Sequence, residues 1–239
     1  MLLILAACVK EPQDARDLHR QALTLLPQDP DAAALICPQI DAMDLRADCT
    51  WAVVETLAPD DAAKGHALCL ELPGAFGEEC WFLLGETAMD PAACASAGSL
   101  ADDCRMHVVS NRFMQDFRDA EPGQVEEQAQ QVVIWAGLAP RDPRPWSALY
   151  RGVLLNRRPL DPSRCDAVSD PELQAICVST AVPVFHDLLN HNRDTVGGLC
   201  TGELPFEVVW TPELHAALDE RRGADLCAED GQRPAPVSP

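Results

Sequence analysis

Cysteine is the residue of this chain whose number and spacing most plainly offer chemistry. There are 11 cysteines in 239 residues. Ten fall into pairs by distance: Cys37 with Cys49, Cys69 with Cys80, Cys94 with Cys104, Cys165 with Cys177 and, farther apart, Cys200 with Cys227. Thiols can form disulfides, ligate metal, exchange with other thiols or hold haem. Structural zinc wants two cysteines only two to four residues apart, and no pair here is that close. Neither Cys-x-x-Cys for thiol exchange nor Cys-x-x-Cys-His for haem occurs. The spacing therefore favours disulfides, with metal ligation and buried free thiols as the alternatives. No metal and no cofactor is expected. Each of the first four bridges would close a loop of about a dozen residues, worth ~2–3 kcal/mol. Four of them match the ~5–15 kcal/mol net stability of an ordinary domain. Bridges persist in oxidising compartments, so the even set argues for export.

Other side chains offer less. His186 and His191 lie five positions apart, which puts their rings about 140° apart on a helix, too far round for a shared metal. Ser99, Ser110 and Ser179 lack a Gly-x-Ser-x-Gly elbow. Gly197-Gly198 is an isolated pair, better read as a helix stop than as a phosphate cradle. The acidic pairs Asp60-Asp61, Glu78-Glu79 and Asp102-Asp103 are expected at helix starts, where they complement the dipole. No catalytic constellation is marked.

Charge is the second signal. Asp and Glu number 38 against 18 Lys and Arg, a net charge of -20. That balance excludes a general nucleic-acid binder, which needs clustered cations. Against it stands a basic island: Arg141, Arg144, Arg151, Arg157, Arg158 and Arg164. Two readings stay open for it. The arginines dock on the protein's own acidic helices, or they form a contact surface for anionic lipid or an acidic partner.

Cys8 is the odd cysteine. It follows the apolar run Leu2-Leu3-Ile4-Leu5 and closes Leu5-Ala6-Ala7-Cys8, and polarity begins at Lys10-Glu11. The run resembles a bacterial lipobox. The resemblance implies that residues 1–8 are a lipoprotein signal ending in a lipidated Cys8, with acyl chains on its sulfur and amino group. Several chains together hold a protein stably on a bilayer. Val9, rather than Asp, follows the cysteine, which by the same resemblance points to the outer membrane. The leader departs from the usual form, because Met1 is followed directly by Leu2 with no basic segment between. The expectation is a true start elsewhere. The alternative is an apolar N-terminus that packs as an ordinary helix or strand end. No other segment approaches the ~18 apolar residues that span a bilayer.

The elements that would position these residues are helical. Leu18, Ala22 and Leu25 share one helical face, as do Val125, Ala129, Val132, Val133 and Trp135, and Leu149, Val153 and Leu154. Asp29-Pro30, Asp90-Pro91, Asp142-Pro143, Asp161-Pro162, Asp170-Pro171 and Thr211-Pro212 each pair a capping side chain with proline at the first helical position. The only stretch that could be extended is Pro205 to Trp210. Aromatics are few, so the core is expected to consist mainly of Ala, Leu and Val, which suits helices. The fold class is therefore all-α: an array or bundle of helical hairpins stapled by disulfides. A helix should end near the first cysteine of each pair and another should start near the second. Antiparallel helices ~8–10 Å apart allow such a staple at the closed end.

The hairpins recur at intervals of about 30 residues, which weakly resembles helical-hairpin repeats of the tetratricopeptide or Sel1-like kind. An irregular stapled bundle is the alternative. The expected organisation is residues 1–8 as signal and anchor, 9–13 as tether, and 14–120 as stapled hairpins. Residues 121–228 follow as further helices with the fourth hairpin, and 229–239 as a disordered tail. The function expected is that of a lipid-anchored bacterial envelope lipoprotein. It would be a non-enzymatic scaffold for a protein partner in the envelope, held to the membrane through Cys8. The alternative is an exported helical enzyme or small-ligand carrier with a site between hairpins.

Overall fold

Several helices begin at side-chain caps, while the α-helices starting at Met43, Gly74 and Glu126 have none among the described residues. In the computed structural model of this protein, residues 14–156, 159–191, 204 and 206–221 are described. The helices are α1 (Ala15–Leu25), α2 (Pro30–Ile36), α3 (Met43–Leu57), α4 (Ala62–Cys69), α5 (Gly74–Thr87), α6 (Ala101–Asp116), α7 (Glu126–Trp135), α8 (Pro143–Asn156), α9 (Pro171–His191) and α10 (Pro212–Arg221). Asp29 accepts from the Ala32 N–H at 2.9 Å to open α2, Asp142 from Arg144 N–H at 3.0 Å to open α8, and Asp170 from Glu172 N–H at 2.9 Å to open α9. Thr211 Oγ1 accepts from the Leu214 N–H to open α10. Asp161 caps as expected but opens the short 3₁₀ helix Pro162–Ala167 rather than an α-helix. Asp90 does not open a helix: its carboxylate accepts from the Ala92 N–H in a turn, Pro91 stays outside the helical residues, and the 3₁₀ segment Ala93–Ser96 that follows has no side-chain cap. No β-strand occurs among the described residues. Among the described residues an isolated parallel bridge joins Leu160 to Val208, and Val208 lies in the stretch whose sequence allowed an extended piece.

Four disulfides are present: Cys37–Cys49, Cys69–Cys80, Cys94–Cys104 and Cys165–Cys177, with Cα atoms 5.4 to 5.7 Å apart. Their placement refines the expected hairpin. Cys37 caps the end of α2 and Cys69 closes α4, but Cys94 and Cys165 sit on the two 3₁₀ turns. The second cysteines are not at helix starts. Cys49, Cys80 and Cys177 lie about two turns into α3, α5 and α9, and Cys104 about one turn into α6. The reason is directional. Helical side chains lean toward the N-terminus, so a sulfur must start deeper in the helix to reach back to the preceding turn. All eight sulfur-bearing residues are buried, and they fill core space as small apolar groups. Four bridges mark an oxidising compartment outside the cytoplasm. Among the described residues, no helix is long and apolar enough to cross a membrane. Cys8, Cys200 and Cys227 lie outside the described residues.

The chain divides into two compact units between Val108 and Val109, inside α6. In the first unit α3 is the central helix, packed against α1, α2, α4 and α5. One core layer holds Leu18, Ala22, Ile40 and Val53 around the first disulfide. A second holds Val54, Leu72, Trp81, Leu84 and Val108 around the second and third. In the second unit α8 packs along α9. Ser147 and Thr180 hydroxyls meet there at 3.3 Å, and Arg151 pairs with Asp187 at 2.8 Å. The core of that unit is Leu154, Leu160, Val184, Phe185, Leu188 and Leu214.

Two expectations of register need correction. Trp135 does not share the buried face of α7 and is 50% exposed. The face that packs runs through Val125, Ala129, Val133 and Ala136, and Trp135 lies about 80° round from Val125. Glu78-Glu79 do not start a helix but lie in the body of α5. Glu78 instead reaches out to the third disulfide loop, where its Oε2 accepts from the Ser99 N–H at 3.2 Å and the Ser99 hydroxyl at 2.8 Å. Gly98 sits beneath that carboxylate with φ +56, a conformation and a clearance that glycine alone supplies.

Candidate functional site

Among the described residues, each unit presents a surface feature large enough to receive a partner or ligand. In the first unit it is an apolar groove of about 390 Å³ between α2 and α4. Its walls are Ala34, Leu35, Pro38, Leu57, Ala67 and Leu68, and Asp31, Lys64 and Glu71 stand on its rim. The local sequence explains why the groove is open. The short helix α2 turns Ala33 inward against the core and leaves Leu35 74% exposed. Leu70, just past the end of α4, is 75% exposed. Lys64 donates to Asp31 at 2.6 Å and lies 3.7 Å from Asp61. The hydrogen bond that Lys64 donates to Asp31, with the charge of both carboxylates, holds the Lys64 ammonium above the ordinary lysine range.

In the second unit it is a polar cavity of about 420 Å³ at the N-terminal ends of α7 and α9. Its lining includes Glu126, Glu127 and Asp170 together with Arg141, Ser169 and Trp146. Glu126 holds the fourth disulfide loop: Ser169 donates its N–H to Oε1 at 2.7 Å and its hydroxyl to Oε2 at 2.8 Å. Trp146 is buried, and its indole N–H donates to the Pro140 carbonyl at 2.9 Å. Tyr150 stacks on Trp146 and is fully buried, with no hydrogen-bond partner for its hydroxyl among the described residues. Burial, reinforced by the charges of Glu126 and Asp170, pushes the phenol well above the ordinary tyrosine range.

No family model, no curated protein and no solved structure matches this chain.

The arginine island is dispersed rather than assembled. Arg141 pairs with Asp170 at 3.3 Å and with Glu172. Arg144 pairs with Asp142 at 2.7 Å, Arg151 with Asp187 at 2.8 Å, and Arg164 with Glu121 at 3.7 Å. The Arg144 guanidinium holds the Asp142 carboxyl below the usual carboxylate range. Each described arginine of the island thus meets a carboxylate of its own chain, and only Arg141 reaches the cavity. Arg157 and Arg158 lie outside the described residues.

The histidines do not assemble either. His186 lies beside Phe185 on α9, with its Nδ1 buried and without a hydrogen-bond partner among the described residues. The side chain of His191 is outside the described set. Among the described residues, no three His, Cys, Asp or Glu side chains are placed to hold a metal. Sequence reasoning missed both the groove and the cavity. The legible hint was Leu35, a large apolar residue on a short helix whose small neighbour Ala33 already supplies the buried face.

Proposed function

We propose that this protein is a lipid-anchored envelope lipoprotein that offers a stapled helical surface to a protein partner. The single observation that carries the binding role is the solvent-open apolar groove between α2 and α4. A large aliphatic side chain such as Leu35, 74% exposed on a helix fixed by the adjacent Cys37–Cys49 bridge, is a preorganised contact that loses little entropy on binding. The recurring stapled hairpins are supports of the kind on which helical arrays present such faces. Anchoring rests on Leu5-Ala6-Ala7-Cys8 and on the export that the four bridges require. The outer membrane follows from Val9 after the cysteine.

Two measurements test this reading. A fatty-acid probe fed to cells should label the protein and fail to label Cys8→Ser. A photoreactive residue placed at Leu35 should give a discrete protein adduct in intact cells, and the same residue at exposed Glu55 should not. No adduct from any position on the described surface would reject the scaffold.

The second reading, a small-ligand carrier, is favoured by the polar cavity of the second unit, where three carboxylates and Arg141 converge. Its volume falls within the ~300–1,000 Å³ typical of ligand sites. Native mass spectrometry of protein taken directly from the envelope would reveal a co-purifying small molecule if that reading holds.

A further inference from the structure

We infer that the groove between α2 and α4 receives the apolar face of a basic amphipathic helix. The inference deepens the scaffold reading and rests on it for its biological setting, but its chemistry can be tested alone. The walls are aliphatic and offer no aromatic ring. Aliphatic walls between two helices suit another helix that presents apolar anchors at i, i+3, i+4 and i+7. An extended strand would need a free backbone edge, and none is offered here, because the walls are helical.

Charge selects the kind of helix. Lys64, the one cation among the described residues of the rim, is already engaged by Asp31 and Asp61. Glu71 stands at the other end of the groove. Around it, the described part of the first unit carries far more carboxylates than cations, including Asp29, Asp44, Glu55 and Asp60. A partner with Lys or Arg flanking its apolar stripe meets an attractive field, and an acidic helix is repelled. Leu70, 75% exposed beside Glu71, extends the apolar contact past the end of α4.

The test uses the full oxidised chain and three synthetic peptides, with affinity read by titration calorimetry. The first peptide carries Leu at i, i+3, i+4 and i+7 with Lys elsewhere. The second has the same Leu pattern with Glu in place of Lys. The third has the composition of the first with the Leu positions scrambled. The Leu/Lys peptide should bind at least about tenfold more tightly than either control, the loss of ~1.4 kcal/mol. Leu35→Glu should weaken it by at least about tenfold, while unchanged circular dichroism and melting show that the exposed position leaves the fold intact.

Equal binding of the scrambled peptide would overturn the inference, because it would show attraction to net charge alone. Equal binding of the Leu/Glu peptide would overturn the charge argument. Sedimentation velocity on the chain alone adds one arm: a dimer abolished by Leu35→Glu would overturn the inference by making a second copy the occupant. Failure of the Leu/Lys peptide while cells still yield adducts from elsewhere on the surface would sink the groove and leave the scaffold standing.

Discussion

Glu126 on α7 grips Ser169 twice, taking its backbone N–H at 2.7 Å and its hydroxyl at 2.8 Å. Glu78 on α5 grips Ser99 in the same way, at 3.2 and 2.8 Å. In both cases the serine lies inside a disulfide loop, just before the helix that carries the second cysteine. The same device thus appears once in each unit. A covalent staple fixes the loop at its base, and a carboxylate on a neighbouring helix fixes its crest.

This pairing predicts the effect of cutting either latch. Glu78→Ala or Glu126→Ala should cost about 1–2 kcal/mol, the usual worth of a charge-assisted hydrogen bond at a partly exposed site. Urea unfolding measures it. Combined with Ser99→Ala, Glu78→Ala should cost less than the sum of the two single changes, because both delete the same contact. Strict additivity would show that the latch is not coupled in solution.

Gly85 makes a sharper test of packing. A Cβ there would lie 2.6 Å from Cys104 Sγ and 2.8 Å from Cys94 Sγ, both fully buried. A disulfide cannot swing aside as a side-chain end can. Gly85→Ala should therefore destabilise the protein by about 1–3 kcal/mol, the cost of overpacking a core. Gly65→Ala is the control: the one close approach of its Cβ is to Leu84 Cδ1 at 2.6 Å, the end of a side chain, and Ala58 Cβ lies at an ordinary 3.7 Å. Thermal melts should show the larger loss at Gly85. Equal losses would show that the third bridge has room to move.

How much of this was readable beforehand depends on the range of the forces involved. The four described cysteine pairs are covalent and hold as the sequence suggests. The capping dipeptides are local, and they hold as the sequence suggests at Asp29-Pro30, Asp142-Pro143, Asp170-Pro171 and Thr211-Pro212. What followed each cap was less legible. Asp161 opens a 3₁₀ helix, and Asp90 only a turn before one, because so few residues separate each from the chain reversal that i→i+3 closure serves, as in Ala97 N–H to Cys94 carbonyl at 3.1 Å. Trp135 was misplaced because helical periodicity leaves a residue at the stripe's edge undecided, and only the packing of Ala136 decides it. The latches, the groove and the cavity depend on residues far apart in sequence, and no local pattern encodes them.

Tyr150 offers a clean spectroscopic prediction, because it is the only tyrosine in the chain. Its phenol is buried, unpartnered among the described residues and shifted upward. An unfolded tyrosine loses its proton near pH ~10. The folded state holds the proton longer, so below that pH this group leaves stability unchanged, and above it stability falls as pH rises. Alkaline titration of phenolate absorbance should therefore show no ionisation near pH ~10, with the signal appearing only as the protein unfolds. Tyr150→Phe should be neutral or stabilising by up to about 1 kcal/mol, since it removes a buried hydroxyl that makes no bond to the described residues. A clear loss of stability would mean that the hydroxyl has a partner in solution.

The central claim is a helical body held by sequence-adjacent staples and matured outside the cytoplasm. Peptide mapping without reduction, on protein isolated from cells under thiol-blocking conditions, tests it most directly. The expected result is four linked peptide pairs, Cys37–Cys49, Cys69–Cys80, Cys94–Cys104 and Cys165–Cys177, all protected from alkylation until a reductant is added. Free, alkylatable thiols at these eight positions, or links that cross between hairpins, would contradict the account.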